Sequence, residues 1–306
     1  MSQRRGRTVI VTGAGKGLGR AYALALASQG ANVLVNNRRH PGETDDETSA
    51  MSTVLAIREL GGSAEPNYED ITNPSSGEAL IADAITHFGG VDAIVANAGI
   101  EQVNRFENLS LDTFMQVFNT SFFGNLYLVK AAWAHWLTSG SGRAVLTTSG
   151  AGLYGNHGQS AYSSAKAAVL GLTKALALEG ASRDIKVNAL APYAYTAMTS
   201  NYLDSEDASL LAPDKVAPLV NYLVSAECSI SGEILVAAGG VLRAAHTTEE
   251  APLPLEADVE GTIALLKKQQ KQHYGSANES FLHLKSVLTA MNNSADEADM
   301  SSHKTR

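Results

Sequence analysis

Short runs of β-branched and aliphatic residues alternate, from Thr8 to about residue 240, with longer segments whose apolar positions recur every three or four residues. The runs Thr8–Thr12, Asn32–Asn36, Val91–Ala96, Arg143–Thr148, Ile185–Leu190 and Glu233–Ala237 predict strands, with a weaker one at Ala64–Tyr68. Helices are predicted between them, over Gly17–Gln29, Glu47–Leu60, Pro74–Phe88, Leu111–Leu137, Ala161–Glu179 and Pro213–Ala226. Gly30, Gly61 and Gly180 stand where left-handed C-caps would end three of these helices. Strands apolar on both faces and separated by helices imply a parallel sheet covered on both sides. The expected fold is therefore α/β, a doubly wound parallel sheet of about seven strands with helices on both faces, over residues 1–244.

The pattern changes at about Ala244. Thr247–Glu260 is acidic and contains Pro252 and Pro254, which predicts a linker or an extended wrap. The stripes Val259, Ile263, Leu266 and Phe281, Leu284, Leu288, Met291 predict two short helices. The last dozen residues are polar and expected to be disordered. Residues 245–306 thus read as a C-terminal helical extension.

Composition narrows the function. Of 306 residues, 44% are hydrophobic and 18% charged, which places the chain among folded globular proteins. A net charge of −8 argues against a general nucleic-acid partner, which needs a basic face. Cys228 is the single cysteine, so no internal disulfide framework exists and a reducing compartment suits the chain. The basic start, Met1 to Arg7, precedes an apolar stretch broken at once by glycines, so no signal peptide is expected. No run approaches the roughly 20 apolar residues that span a bilayer. The expectation is a cytoplasmic protein with a small-molecule substrate and neither a nucleic-acid nor a membrane partner. The histidines show no ligand-like cluster, so no metal is implied.

Thr12-Gly13-Ala14-Gly15-Lys16-Gly17-Leu18-Gly19 lies between the first predicted strand and the first predicted helix. A glycine-rich turn there lets the backbone approach a pyrophosphate while helix N-terminal N–H groups face the anion. The spacing is Gly13-x3-Gly17-x-Gly19, distinct from the general G-x-G-x-x-G fingerprint.

Further along, Tyr162-Ser163-Ser164-Ala165-Lys166 places a phenol and an ammonium on one helix face. A free phenol, with a pKa of about 10, is a poor base near neutrality. A fixed positive charge beside it is expected to favour the phenolate by roughly 1–3 pH units. Ser149 stands thirteen residues earlier, at the end of a predicted strand where loops carry function.

These motifs, in this order, resemble the classical short-chain dehydrogenase/reductase family from residue 7 to about 243, and the fold the resemblance implies is Rossmann-type. It implies Asn119, Ser149, Tyr162 and Lys166 as catalytic residues. Ser149 would steady the substrate oxygen, Tyr162 would exchange its proton, and Asn119 would hold a water on the relay from Lys166. It further implies cofactor contacts from Gly13, Gly15, Lys16, Gly17, Leu18 and Gly19, from Asp70 and Ile71 at the adenine, and from Asn97, Ala98 and Gly99 in Ala96-Asn97-Ala98-Gly99. Tyr162, Lys166, Pro192 and Thr196 would flank the nicotinamide side.

Members that prefer NAD usually carry an acid where Asn37 stands, and here Arg38 and Arg39 follow it. NADP(H) is therefore expected to be favoured over NAD(H), with Asn37 and Arg38 at the adenosine ribose. Leu153 to Gln159 before Tyr162, Gly19-Arg20-Ala21-Tyr22-Ala23-Leu24-Ala25 and Val216-Ala217-Pro218-Leu219-Val220 are similar to the (3R)-hydroxyacyl-CoA dehydrogenase unit of peroxisomal multifunctional enzymes. That resemblance implies interconversion of a 3-hydroxyacyl-CoA and its 3-ketoacyl-CoA, with Tyr154, His157 and Tyr193 as candidate substrate contacts. Two alternatives stay open: reduction of another ketone, whether polyketide, steroid or small cyclic, and a cofactor-binding regulator without catalysis. Members usually associate through the helices holding Asn119 and Tyr162, which implies a homodimer or homotetramer.

Overall fold

A computed structural model describes residues 6–303 apart from 41, 202, 205 and 256. The first half contains β1 (Thr8–Thr12), α1 (Gly17–Ser28), β2 (Asn32–Asn36), α2 (Ser49–Glu59), β3 (Ser63–Asn67), α3 (Ser76–Phe88), β4 (Ala93–Ala96), α4 (Leu111–Phe118) and α5 (Gly124–Ser139). It continues through β5 (Ser141–Thr147), α6 (Gly150–Tyr154), α7 (Ser160–Gly180), β6 (Asp184–Tyr193), α8 (Asp207–Leu210), α9 (Ala217–Leu223), β7 (Ile234–Ala238) and β8 (Val241–Ala244). The sheet order is β3-β2-β1-β4-β5-β6-β7-β8, and every pairing is parallel except β7 with β8.

Alternation along the strands explains the layering. Val9, Val11, Val33 and Val35 share one buried cluster with Tyr22, Leu26, Val54 and Leu223 of α1, α2 and α9. Ile10, Leu34 and Ile94 point the other way, into a cluster with Leu80, Leu128, Trp136 and Val169 of α3, α5 and α7. Each such side chain contributes about 1.5–3 kcal/mol by leaving water, so the sheet is held from both faces.

Four differences from expectation have physical causes. The eighth strand, β8, is exposed along its length and so carries no alternation; it folds back because Gly239 and Gly240 adopt φ of 55° and 83°. The helix expected over Leu111–Leu137 is interrupted by a π-turn at Asn119–Phe123, where Phe118, Phe122 and Phe123 pack against one another. The Pro213–Ala226 segment splits, with Pro213–Lys215 in a 3-10 turn before α9. Gly180 is no left-handed cap: α7 runs through it, and a Cβ there would lie 2.7 Å from the carbonyl oxygen of Ile185. Close approach to β6, not turn geometry, accounts for that glycine.

The chain divides into two compact units, Met1–Ala245 and His246–Arg306. The second contains β9 (Thr248–Glu250), α10 (Val259–Leu266), β10 (Lys271–His273) and α11 (Ala277–His303). β9 pairs antiparallel with β10, so part of the segment expected as a linker or extended wrap is strand. Where a short helix and a disordered end were expected, α11 runs unbroken to His303, a stretch free of proline and glycine. No helix among the described residues is long and apolar enough to cross a membrane.

Candidate active site

One cavity of about 1130 Å³ opens at the carboxyl ends of the strands, across the point where connections from β1 and β4 depart in opposite directions. Its volume exceeds the roughly 300–1,000 Å³ of ordinary ligand pockets, which leaves space for a dinucleotide and a second molecule.

The glycine loop forms one wall. Gly13 and Gly17 have φ of 64° and 56°, in the left-handed region that favours glycine. A Cβ on Gly13 would sit 3.0 Å from Cα of Ala98, and one on Gly19 would run into the Gly13 carbonyl. Lys16 directly precedes α1, whose first-turn N–H groups lack intrahelical partners. A cradle that side chains would fill, beside helix N–H groups, suits a pyrophosphate. Asn97 holds this wall to its neighbour: its amide donates to the Thr12 carbonyl at 3.0 Å, while its backbone N–H and that of Ala98 donate to Thr12 Oγ1 at 3.1 Å.

At the β2 end the Asn37 amide donates to Ser49 Oγ at 2.9 Å, and Arg38 faces Asp70 at 3.7 Å. Burial works to raise the Asp70 carboxyl, but hydrogen bonds from Thr72 and the charge of Arg38 outweigh it and hold the group below its ordinary range. Ile71, Leu18 and His40 complete this wall.

The opposite wall is built by the end of β5 and the start of α7. Ser149 caps α6 and accepts from the Ala151 N–H at 3.2 Å. Four residues separate Tyr162 from Lys166 on α7, and the ammonium lies 5.7 Å from the tyrosine ring centre. Lys166 is only 1% exposed and donates to the Thr147 carbonyl at 2.8 Å. Burial brings its ammonium down to about 8. Burial pushes the Tyr162 phenol up to about 12; a hydrogen bond with Ser149 opposes this and the charge of Glu101 adds to it. Without a bound cofactor, burial is the largest influence on both groups.

Asn119 reaches the same cavity from the π-turn, as do Gly99, Pro192, Tyr193, Thr196 and the largely exposed Tyr154. Thr196 stands across from Gly17, its Cγ2 being 3.4 Å from where a Gly17 Cβ would be. Two expected residues do not line the cavity. Gly15 is buried against the start of α2, where a Cβ would meet Ser49. His157 is exposed on a loop that Gly155 and Gly158, with φ of 74° and 76°, turn away.

Several lining residues were not singled out from sequence. Glu101 and Gln159 are joined by a hydrogen bond beside Tyr162, and His40 follows Arg38 and Arg39. Position relative to the motifs was the available signal: Glu101 is two residues past Gly99, and Gln159 three before Tyr162. Among the described residues no group of His, Cys, Asp and Glu is arranged to hold a metal.

Comparison with known proteins agrees with this geometry. Residues 7–207 match the short chain dehydrogenase family. A short-chain type dehydrogenase/reductase of Mycobacterium tuberculosis is 41% identical over 236 residues, covering 76% of this chain and 82% of that protein. The peroxisomal multifunctional enzyme type 2 of Mus musculus is 39% identical over 237 residues, 77% of this chain, which spans only 32% of that longer protein. The crystal structure of a short chain dehydrogenase from Mycobacterium avium superimposes with a TM-score of 0.78 at 35% identity, covering 88% of this chain and 98% of that one.

Proposed function

We propose a substrate, a cofactor preference and residue roles for this chain, which belongs to the short-chain dehydrogenase family. Membership makes it an NAD(P)-dependent oxidoreductase that interconverts secondary alcohols and ketones. Our reading is that it reduces a 3-oxoacyl thioester or oxidises the matching 3-hydroxyacyl thioester. The observation that carries it is the shared wall of Ser149, Tyr162 and Lys166 within a segment similar to the multifunctional enzymes.

The residue roles follow from placement. Gly13, Gly17 and Gly19 with the α1 N-terminus would hold the dinucleotide phosphates, and Lys166 would hold the nicotinamide ribose. When bound, the nicotinamide supplies or accepts the hydride. Ser149 would donate to the carbonyl oxygen as charge develops there, and Tyr162 would deliver the proton. Lys166 and Asn119 would return a proton to Tyr162 from solvent. Oxidation runs these steps backwards.

NADP(H) is the proposed preference. Asn37 presents no carboxylate to a 2′-phosphate, and Lys16, Arg38 and His40 line that end of the cavity. Association through the faces of α4 and α7 into a dimer or tetramer is supported by the exposed Leu111 of α4, at 81%; light scattering that returned the monomer mass would exclude it. A cytoplasmic location rests on the lone Cys228 and is tested by fractionation. The test of function is oxidation of NADPH and NADH with acetoacetyl-CoA. Turnover supports the thioester reading, and cofactor binding without turnover redirects the search to other ketones.

A further inference from the structure

We infer that Glu101 is a specificity-determining residue, a fixed carboxylate on the substrate side of the cavity that selects neutral or hydrogen-bond-donating acyl groups and rejects ketones that also bear a free carboxylate. The inference rests on the oxidoreductase reading and names a feature of the substrate within it.

Three observations place the carboxylate. The loop after β4 is pinned by Ser121 of the π-turn, whose hydroxyl donates to the Ile100 carbonyl at 3.0 Å and accepts from the Ile100 N–H at 3.1 Å. Glu101 is the next residue and lines the cavity. Its Oε1 then accepts a hydrogen bond from Nε2 of Gln159. Gln159 is 7% exposed and directly precedes α7, and its own Oε1 accepts from the Asn156 amide at 3.1 Å. That second bond fixes which end of the Gln159 amide faces Glu101, so donor meets carboxylate. The carboxylate is therefore held from both sides, by its backbone and by its acceptor oxygen.

Its field reaches the reacting group, because the charge of Glu101 is one of the influences on the Tyr162 phenol, behind burial and Ser149. A carbonyl bound between Ser149 and Tyr162 shares the cavity with this charge. Asp112 of α4 lines the same cavity. Among the described residues the lining basic groups lie elsewhere: Lys16 is at the glycine loop, Arg38 and His40 follow β2, and the ammonium of Lys166 is turned to the Thr147 carbonyl. A free 3-oxo acid would bring a second anion to Glu101 inside a partly desolvated cleft, where like charges repel strongly. A thioester or ester has no such charge, and an amide N–H further along the acyl carrier arm is a donor that the carboxylate can accept.

The test measures binding to the cofactor-loaded protein by calorimetry, with two matched pairs: ethyl acetoacetate against acetoacetate, and methyl 4-oxocyclohexanecarboxylate against its free acid. The native protein should bind each ester at least about tenfold more tightly than its acid. In Glu101→Gln, whose amide oxygen still accepts from Gln159, the ratio should fall to about threefold or less, through tighter binding of the acids. Glu101→Ser, which removes charge and hydrogen bond together, should give the same change. A ratio unaltered in both variants, or no preference in the native protein, overturns the inference, as does binding of none of the four compounds. Discrimination within the cyclic pair without binding of either acetoacetate compound would remove the 3-oxoacyl reading and leave this one. Reduction of acetoacetyl-CoA without discrimination would do the reverse.

Discussion

Thr148 and Lys166 are joined through main chain and side chain: the buried Thr148 hydroxyl donates to the Lys166 carbonyl at 2.7 Å. One residue earlier, the Thr147 carbonyl accepts from the Lys166 ammonium at 2.8 Å. The end of β5 and the middle of α7 are thereby stitched in two places, which sets Ser149 against Tyr162. Thr148→Val should cost about 1 kcal/mol of stability. It should lower kcat more than it raises the cofactor Kd, because the serine–tyrosine register loosens while the glycine loop is untouched. Denaturant melts and steady-state kinetics read the two effects; full activity would remove this bond from the positioning of Ser149.

Removing the phenol hydroxyl separates chemistry from binding. Tyr162→Phe should lose roughly 10²–10⁴-fold in kcat, the range for a positioned acid or base. Binding of the reduced cofactor, followed by its fluorescence, should hold within about twofold. Unchanged turnover would take Tyr162 out of the mechanism.

Lys166 gives the pH dependence. Burial lowers its ammonium to about 8, so the charge is lost as pH rises through that value. Ketone reduction should be level below and fall by about tenfold per pH unit above it, in single-turnover measurements from about pH 6 to about pH 10. A profile level across that range would show that the charged form is not required. The same lowering carries a sign for stability. Between about 8 and the ordinary lysine range the unfolded chain binds more protons, so this residue's penalty on the fold is present below pH 8 and eases as pH rises.

Arg38 should decide the nucleotide. Arg38→Ala removes the cation from the β2 end and frees Asp70 from its partner at 3.7 Å. The kcat/KM with NADPH should drop by about tenfold or more, the order expected for a charge-assisted phosphate contact. The value with NADH should change little, and equal losses for both cofactors would mean that Arg38 does not read the phosphate.

Gly180 tests close packing against helix propensity. Alanine is the better helix former by about 1 kcal/mol, yet here its Cβ would lie 2.7 Å from the Ile185 carbonyl and 3.3 Å from the Trp133 ring. Gly180→Ala should therefore destabilise the protein by about 1–3 kcal/mol, measured by denaturant melting. A stabilised variant would restore the capping explanation.

Much of the architecture is written in periodicity. The runs at Thr8–Thr12 and Asn32–Asn36 are strands to the residue, since burial on both faces leaves an uninterrupted apolar signal. The same local logic marks the Gly13–Gly19 turn and the pairing of Tyr162 with Lys166, because one depends on backbone freedom and the other on helical spacing. Tertiary structure decided the rest. β8 is exposed and shows no alternation, and the π-turn that presents Asn119 and Ser121 is invisible to a helical period. Gly180 looks like a cap until β6 arrives beside it. Glu101 and Gln159, 58 positions apart, meet only when the ends of β4 and α7 converge. The tyrosine shows the limit most sharply: its spacing from Lys166 is set by sequence, but its protonation depends on burial, which is a property of the whole packed fold.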